Sequence, residues 1–225
     1  MGDDRPPTTR REDGMDQVSH YIELALRGDL DGLATLVEEV TARAGPLAHY
    51  DLLIRPALAE VGDRWERGLL TVGEEHLITA LSEQLATGLS RRAAPDADHI
   101  AIVACTPGNQ HRVGLLAVAD ALALAGWSPL VLGGDTPTQD VARMARDRDA
   151  GLVALSVGLD AELPTLEDQL QRLRTVVRPD AAILVGGNAL FRADWLAPPY
   201  AIACDSASQA YAEAWHHLSR TTTRT

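Results

Sequence analysis

"HIAIVACTPGNQHRVGLLAVADALALAG", residues 99–126, decides the fold. It opens on an unbroken apolar run, HIAIVAC (99–105), and closes on an alanine- and leucine-rich stretch. Between them a proline, two glycines and His111 are crowded into CTPGNQHRVGL (105–115). A continuous apolar run of this length reads as a strand covered on both faces, and the stretch after it as a helix. Four more runs repeat the texture: PLVLGG (129–134), GLVALSVG (151–158), AAILVGG (181–187) and YAIAC (200–204). The segments between them are long enough for crossover helices. One is expected to open at Thr136-Pro137, with Gln139 as the partner in a capping box.

Five such units over residues 99–225 make a doubly wound parallel sheet of the Rossmann type, for which the flavodoxin-like strand order is expected. In that order ligands bind beyond the carboxyl ends of the strands, at the switch point between the first and third. His111 follows the first strand and Ser156 ends the third, so both fall at the mouth of that crevice. Gly186 and Gly187 end the fourth strand and let a ligand come close to the backbone.

Upstream the period changes from strand-like to helical. In GPLAHYDLLIRPALAEVGDRWERG, Leu47, Tyr50, Ile54, Ala57, Val61 and Trp65 recur at three- and four-residue steps, the stripe of a core-facing helix. Pro56 is placed to bend this helix and Gly68 to stop it. Thr71 with Glu74 three residues on is a capping box, after which Leu77, Leu81, Leu85 and Leu89 mark one face. With earlier helices at about 16–27 and 29–44, residues 16–92 read as a four-helix bundle. Residues 93–98, within RRAAPDAD (91–98), read as the linker, and 1–15 as a disordered tail. The short GLLT connection brings Trp65, Glu75 and His76 to one end of the bundle, where all three can face one ligand.

Composition narrows the function classes. With 46% hydrophobic residues in 225, the chain can bury a proper core. A formal net charge of −12 argues against a direct grip on nucleic-acid phosphates. No apolar stretch approaches the roughly 20 residues of a membrane span, and MGDDRPPTTRREDG lacks the apolar core of a secretory signal, so a cytoplasmic location is expected. Cys105 and Cys204 lack CxxC spacing and read as buried thiols. Cys105 and His111 as nucleophile and base lack a third, orienting group.

The loop pattern Asn109-x-His111-x-x-Gly114, with Ser156 after the third strand and Gly186-Gly187 after the fourth, resembles the cobalamin-binding domain family. The resemblance implies that His111 is the lower axial ligand of cobalt, and that Ser156 meets the vitamin's displaced nucleotide tail. Gly114, Gly186 and Gly187 would leave the tail room. Asn109 stands where the family carries a carboxylate. It can accept a hydrogen bond from the imidazole but brings no charge to raise its basicity. Taken singly, a loop histidine is ordinarily a surface residue, a serine after a strand a helix cap, and Gly-Gly a turn.

Trp65, nine residues, then Glu75-His76 is similar to the motif of CarH-type cobalamin photoreceptors, as are the flanking LLIRPALAEVGDRWERG and TVGEEHL. By that resemblance Trp65 and Glu75 shield the adenosyl group of adenosylcobalamin, with His76 in support. Two departures stand out. Only a short tail occupies the place of the family's N-terminal DNA-binding module, so no direct nucleic-acid contact is expected, and Glu66 replaces an upper-face histidine. The reading is a light sensor rather than an enzyme, with light-dependent homo-oligomerisation. Similarity to the photocobilins adds biliverdin as a second chromophore. A corrinoid carrier of methyl groups for a methyltransferase, and a plain cobalamin carrier, are the competing classes.

Overall fold

The computed structural model describes residues 9–89 and 99–222. The expected linker at 93–98 and residues 1–8 of the expected tail lie outside them. The chain divides into two compact units, Met1–Leu85 and Ala86–Thr225.

The first unit carries α1 (Thr9–Leu26), α2 (Leu30–Ala44), α3 (Arg55–Glu66) and α4 (Val72–Leu89, which runs past the unit's boundary). Helix α1 opens at Thr9, inside the stretch expected to be a tail, because Arg10, Arg11 and Glu12 are good helix formers even without an apolar stripe. Asp29 caps α2, its Oδ1 accepting from Gly32 N at 2.9 Å. A π-helical turn, Tyr50–Ile54, leads directly into α3, with the Arg55 N–H reaching the Tyr50 carbonyl. Pro56, next in the chain, has no N–H and its ring clashes with the carbonyl four residues back. The wide turn ahead of it absorbs the defect without ending the helix.

Helix α3 stops at Gly68, as the sequence predicts. Gly68 has φ +70°, its N–H bonds the Trp65 carbonyl at 2.9 Å, and Leu69 N bonds the Arg64 carbonyl at 2.8 Å, a complete Schellman motif. The Thr71–Glu74 capping box also forms: Thr71 N donates to Glu74 Oε2 at 2.8 Å and Glu74 N to Thr71 Oγ1 at 3.2 Å. The leucine face assigned to α4 is displaced. Leu85 is buried as expected and Leu81 half-buried, but Leu77 and Leu89 are exposed, and Ile78 and Ser82 are buried in their place. Ser82 belongs inside because its hydroxyl donates to the Ile78 carbonyl and meets the Tyr21 hydroxyl of α1 at 2.8 Å.

In the second unit, β1 (Ile100–Cys105), β2 (Ser128–Gly133), β3 (Leu152–Ser156), β4 (Ala182–Gly186) and β5 (Ile202–Cys204) form a parallel sheet in the order β2-β1-β3-β4-β5, the flavodoxin-like order expected. The helices are α5 (Val113–Leu124), α6 (Thr138–Asp147), α7 (Leu163–Val176), α8 (Asn188–Arg192) and α9 (Ala207–Thr222). Helices α5 and α9 pack together, as do α6 and α7, the arrangement of a sheet covered on both faces. Val141, Ala145, Leu166, Leu170 and Leu173 form a core with Ile102, Val153 and Ile183 of the strands. Helix α6 lacks the expected box. Pro137 takes the N-cap position, and Thr136 Oγ1 turns back to the Gly133 and Gly134 carbonyls at 3.4 Å.

Candidate functional site

Strand register sets the site. Cys105 of β1 lies opposite Ser156 of β3, and Ser156 opposite Gly186 of β4, so the three chain ends are adjacent at the carboxyl edge. Crossovers leave β1 and β3 in opposite directions and open the crevice between them. Over it runs the loop 106–112, which carries His111.

This loop is stitched to its surroundings by buried polar groups. Asn109 is fully buried; its Nδ2 donates to the Ser156 carbonyl at 3.0 Å and its Oδ1 accepts from the backbone N–H of His111 at 2.9 Å. The amide thus spends both ends on backbone, where the sequence suggested a bond to the imidazole. On the far side the β2–α6 loop closes in, with Gly108 N donating to Asp135 Oδ1 and Asp135 N to the Asn109 carbonyl, both at 2.7 Å. Asp135 holds φ +47° to do so. Underneath, Thr106 Oγ1 bonds a carboxylate oxygen of the buried Glu162, whose other oxygen accepts from Leu159 N at 2.8 Å.

His111 itself is exposed, and among the described residues no hydrogen bond reaches its imidazole, so its ring nitrogens are available to a ligand. Cys105 Sγ donates to the His111 carbonyl at 3.6 Å and not to the ring, which leaves no nucleophile–base pair. Ser156 is buried, and a Cβ on the exposed Gly114 would stand 3.3 Å from its hydroxyl. These two residues therefore lie close together at the β1–β3 crevice, where any side chain at position 114 would press on the Ser156 hydroxyl.

Gly186 and Gly187 answer first to the fold. A Cβ at Gly187, where φ is +127°, would sit 2.0 Å from the Val157 carbonyl oxygen, and one at Gly186 2.8 Å from that of Cys204. Gly158 was passed over in the sequence, yet a Cβ there would come within 2.9 Å of Asn109 Oδ1. Thr106, Asp135 and Glu162 were passed over too. Glu162 has the look of an ordinary first-turn acid, and its partner lies 56 residues away.

At the end of the helical unit, Trp65 is 48% exposed and so leaves the buried stripe of Leu47, Tyr50, Ile54, Ala57 and Val61. Leu69, Val72 and Leu77 are exposed close by in the chain, giving this end an apolar surface. Glu75 is held by two contacts, His76 Nδ1 at 2.5 Å and Thr79 Oγ1 at 2.9 Å.

Among the described residues no group of three or more His, Cys, Asp or Glu side chains is placed to hold a metal ion. A metal met by His111 takes its remaining ligands from the group that carries it. An accessible imidazole with no hydrogen-bond partner among the described residues suits a metal that arrives already held by another group and lacks one nitrogen donor.

Two family models match, both described as a B12 binding domain, one over residues 100–214 and the other over 18–86. The chain is 32% identical over 161 residues to the HTH-type transcriptional repressor CarH of Myxococcus xanthus, covering 72% of this chain and 54% of that protein. It therefore spans about half the length of that relative. Dimethylamine corrinoid protein 1 of Methanosarcina acetivorans is 24% identical over 162 residues, 70% of this chain and 76% of that one. The solved structure of a Methanosarcina barkeri monomethylamine corrinoid protein shares the fold, with a TM-score of 0.66 and 19% identity over 88% of this chain and 96% of that chain.

Proposed function

Because the chain belongs to the B12 binding domain family, matched across residues 100–214, we propose that it is a cobalamin-dependent light sensor. Adenosylcobalamin, when bound, supplies a cobalt–carbon bond that visible light breaks. His111 would offer the metal an imidazole nitrogen, Asn109 fixes the loop, and Ser156 and Gly114 would receive the nucleotide tail. By the resemblance to CarH-type photoreceptors, Trp65, Glu75 and His76 would shield the adenosyl group; within the helical unit the Glu75 carboxylate is held by His76 and Thr79. Loss of the upper group then biases domain arrangement or oligomeric state.

The observation that carries this reading is the similarity to CarH, which takes in 72% of the chain. The test is to load the protein with adenosylcobalamin and record absorbance and solution mass in the dark and after green light. A changed spectrum with a changed mass is expected, and no change in either removes the proposal. A parallel sample with biliverdin, which rests on the resemblance to photocobilins alone, reports a second chromophore by absorption in the red.

A second reading is favoured by the dimethylamine corrinoid protein, 76% of which this chain covers. A corrinoid carrier would take a methyl group from a donor protein, and that transfer identifies it. Trp65 and Glu75 support the sensor, since a bulky cap suits an adenosyl group better than a methyl group that a partner must reach.

A further inference from the structure

Three donors converge on one oxygen beneath the His111 loop. The Ser156 carbonyl accepts from Thr106 N at 3.1 Å and Asn109 Nδ2 at 3.0 Å, and Thr106 Oγ1 also lies at 3.0 Å. The same hydroxyl meets Glu162 Oε2. A hydroxyl has one proton and a carbonyl two lone pairs, so three donors overfill the oxygen. Given a choice of acceptors, the proton goes to the carboxylate, because a charge-assisted bond is roughly twice as strong as a neutral one. The Ser156 carbonyl then keeps two donors for two lone pairs, and Asn109 has an uncontested acceptor.

We propose that Glu162 is a positioning residue for His111, acting through the Thr106 hydroxyl. Glu162 draws the Thr106 hydroxyl away from the Ser156 carbonyl, Asn109 locks onto that carbonyl, and Asn109 Oδ1 in turn holds the His111 backbone N–H. Thr106, Asn109 and Glu162 are 1%, 0% and 6% exposed, so water cannot replace a lost partner. The Leu159 N–H on Glu162 Oε1 fixes the carboxylate from the other side and ties the β3–α7 turn into the same chain of bonds. Acting through Asn109, the clasp leaves the imidazole free while setting the point from which it reaches out.

This inference rests on His111 as the cobalt ligand, and its test has one arm without cobalamin. In the ligand-free protein, hydrogen exchange of the His111 amide reports whether Asn109 is locked. Glu162→Ala leaves the Thr106 hydroxyl only the Ser156 carbonyl to bond, Glu162→Gln keeps the shape but weakens the pull, and Thr106→Val added to Glu162→Ala removes the competing hydroxyl. Glu162→Ala should speed exchange at His111 by about 10-fold or more while the strand amides stay protected, Glu162→Gln should do so to a smaller extent, and the added Thr106→Val should bring exchange back toward the parent. With cobalamin bound, Glu162→Ala should weaken affinity about 10- to 100-fold and shift the absorbance away from the histidine-ligated form, and the added Thr106→Val should restore both.

Parent-like exchange and parent-like spectra in Glu162→Ala, or no recovery when Thr106→Val is added to it, overturn the proposal. Should Glu162→Ala fail to fold, Glu162→Gln with and without Thr106→Val decides alone. His111→Ala separates the two claims: if it keeps the parent's spectrum, the ligand assignment falls, whereas the exchange data still judge the clasp.

Discussion

Asn109 is the residue on which the loop turns. Its side chain presents a donor to the Ser156 carbonyl and an acceptor to the His111 N–H from one fully buried position, which an ionised carboxylate cannot do. Asn109→Asp keeps the acceptor but sets a second oxygen against a carbonyl oxygen. The ligand-free protein should lose about 1–3 kcal/mol at neutral pH by urea unfolding. The deficit should shrink in acid as the new carboxyl gains a proton to donate. Equal stability of the two proteins at neutral pH contradicts the hydrogen-bond assignment. The sequence shows Asn109 only as a missing charge; where its amide points depends on Ser156, 47 residues away. His111 and Gly114 were legible because spacing alone places them after a strand, while Thr106 and Glu162 were hidden, being ordinary residues whose meeting the fold creates.

Local signals were read well wherever the physics is local. The Thr71–Glu74 box closes within one turn, and α3 ends at Gly68 through the Gly68 N–H on Trp65 and the Leu69 N–H on Arg64. Thr71→Ala should cost about 1 kcal/mol in thermal unfolding of the helical unit. Its bonds from the Thr71 backbone and then hydroxyl hold the Glu74 carboxyl below its ordinary range. A depressed carboxyl contributes stability above its unfolded value and loses it as pH falls through the folded one. The difference between parent and Thr71→Ala should therefore be full at neutral pH and narrow only in acid. Long-range physics defeated the reading of α4, where Ser82 faces inward to meet Tyr21 and breaks the leucine pattern. The miss at Thr136 is local instead: its hydroxyl bonds the Gly133 and Gly134 carbonyls just behind it and not the helix it precedes.

At the scale of the whole molecule, five apolar runs were enough to give the sheet, since parallel strands covered on both faces leave little else for such runs to be. β5 is shorter than its apolar run, Ile202–Cys204 against the expected 200–204. The helical unit carries its own alkaline limit. Burial pushes the Tyr21 hydroxyl from 10.0 up to about 12, against the smaller opposing effect of its bond to Ser82. A raised value means stability present below the unfolded value and lost as pH rises through the folded one, because the unfolded tyrosine ionises first. Helical circular dichroism should therefore weaken between pH 10 and 12, by a free-energy loss of about 2–3 kcal/mol. Tyr21→Phe should flatten that slope.

The loop bearing His111 is sewn to the β2–α6 loop through Asp135 and to the β3–α7 turn through Glu162, so its shape is held by three crossovers at once. All these bonds lie at the carboxyl edge, and the turn at Arg148–Asp149 enters β3 from the opposite one. A protein split at that turn keeps every stitch within reach of re-formation, so two fragments joined only by the sheet should rebuild the loop, whereas a cut at Pro107–Gly108 parts it from its anchor.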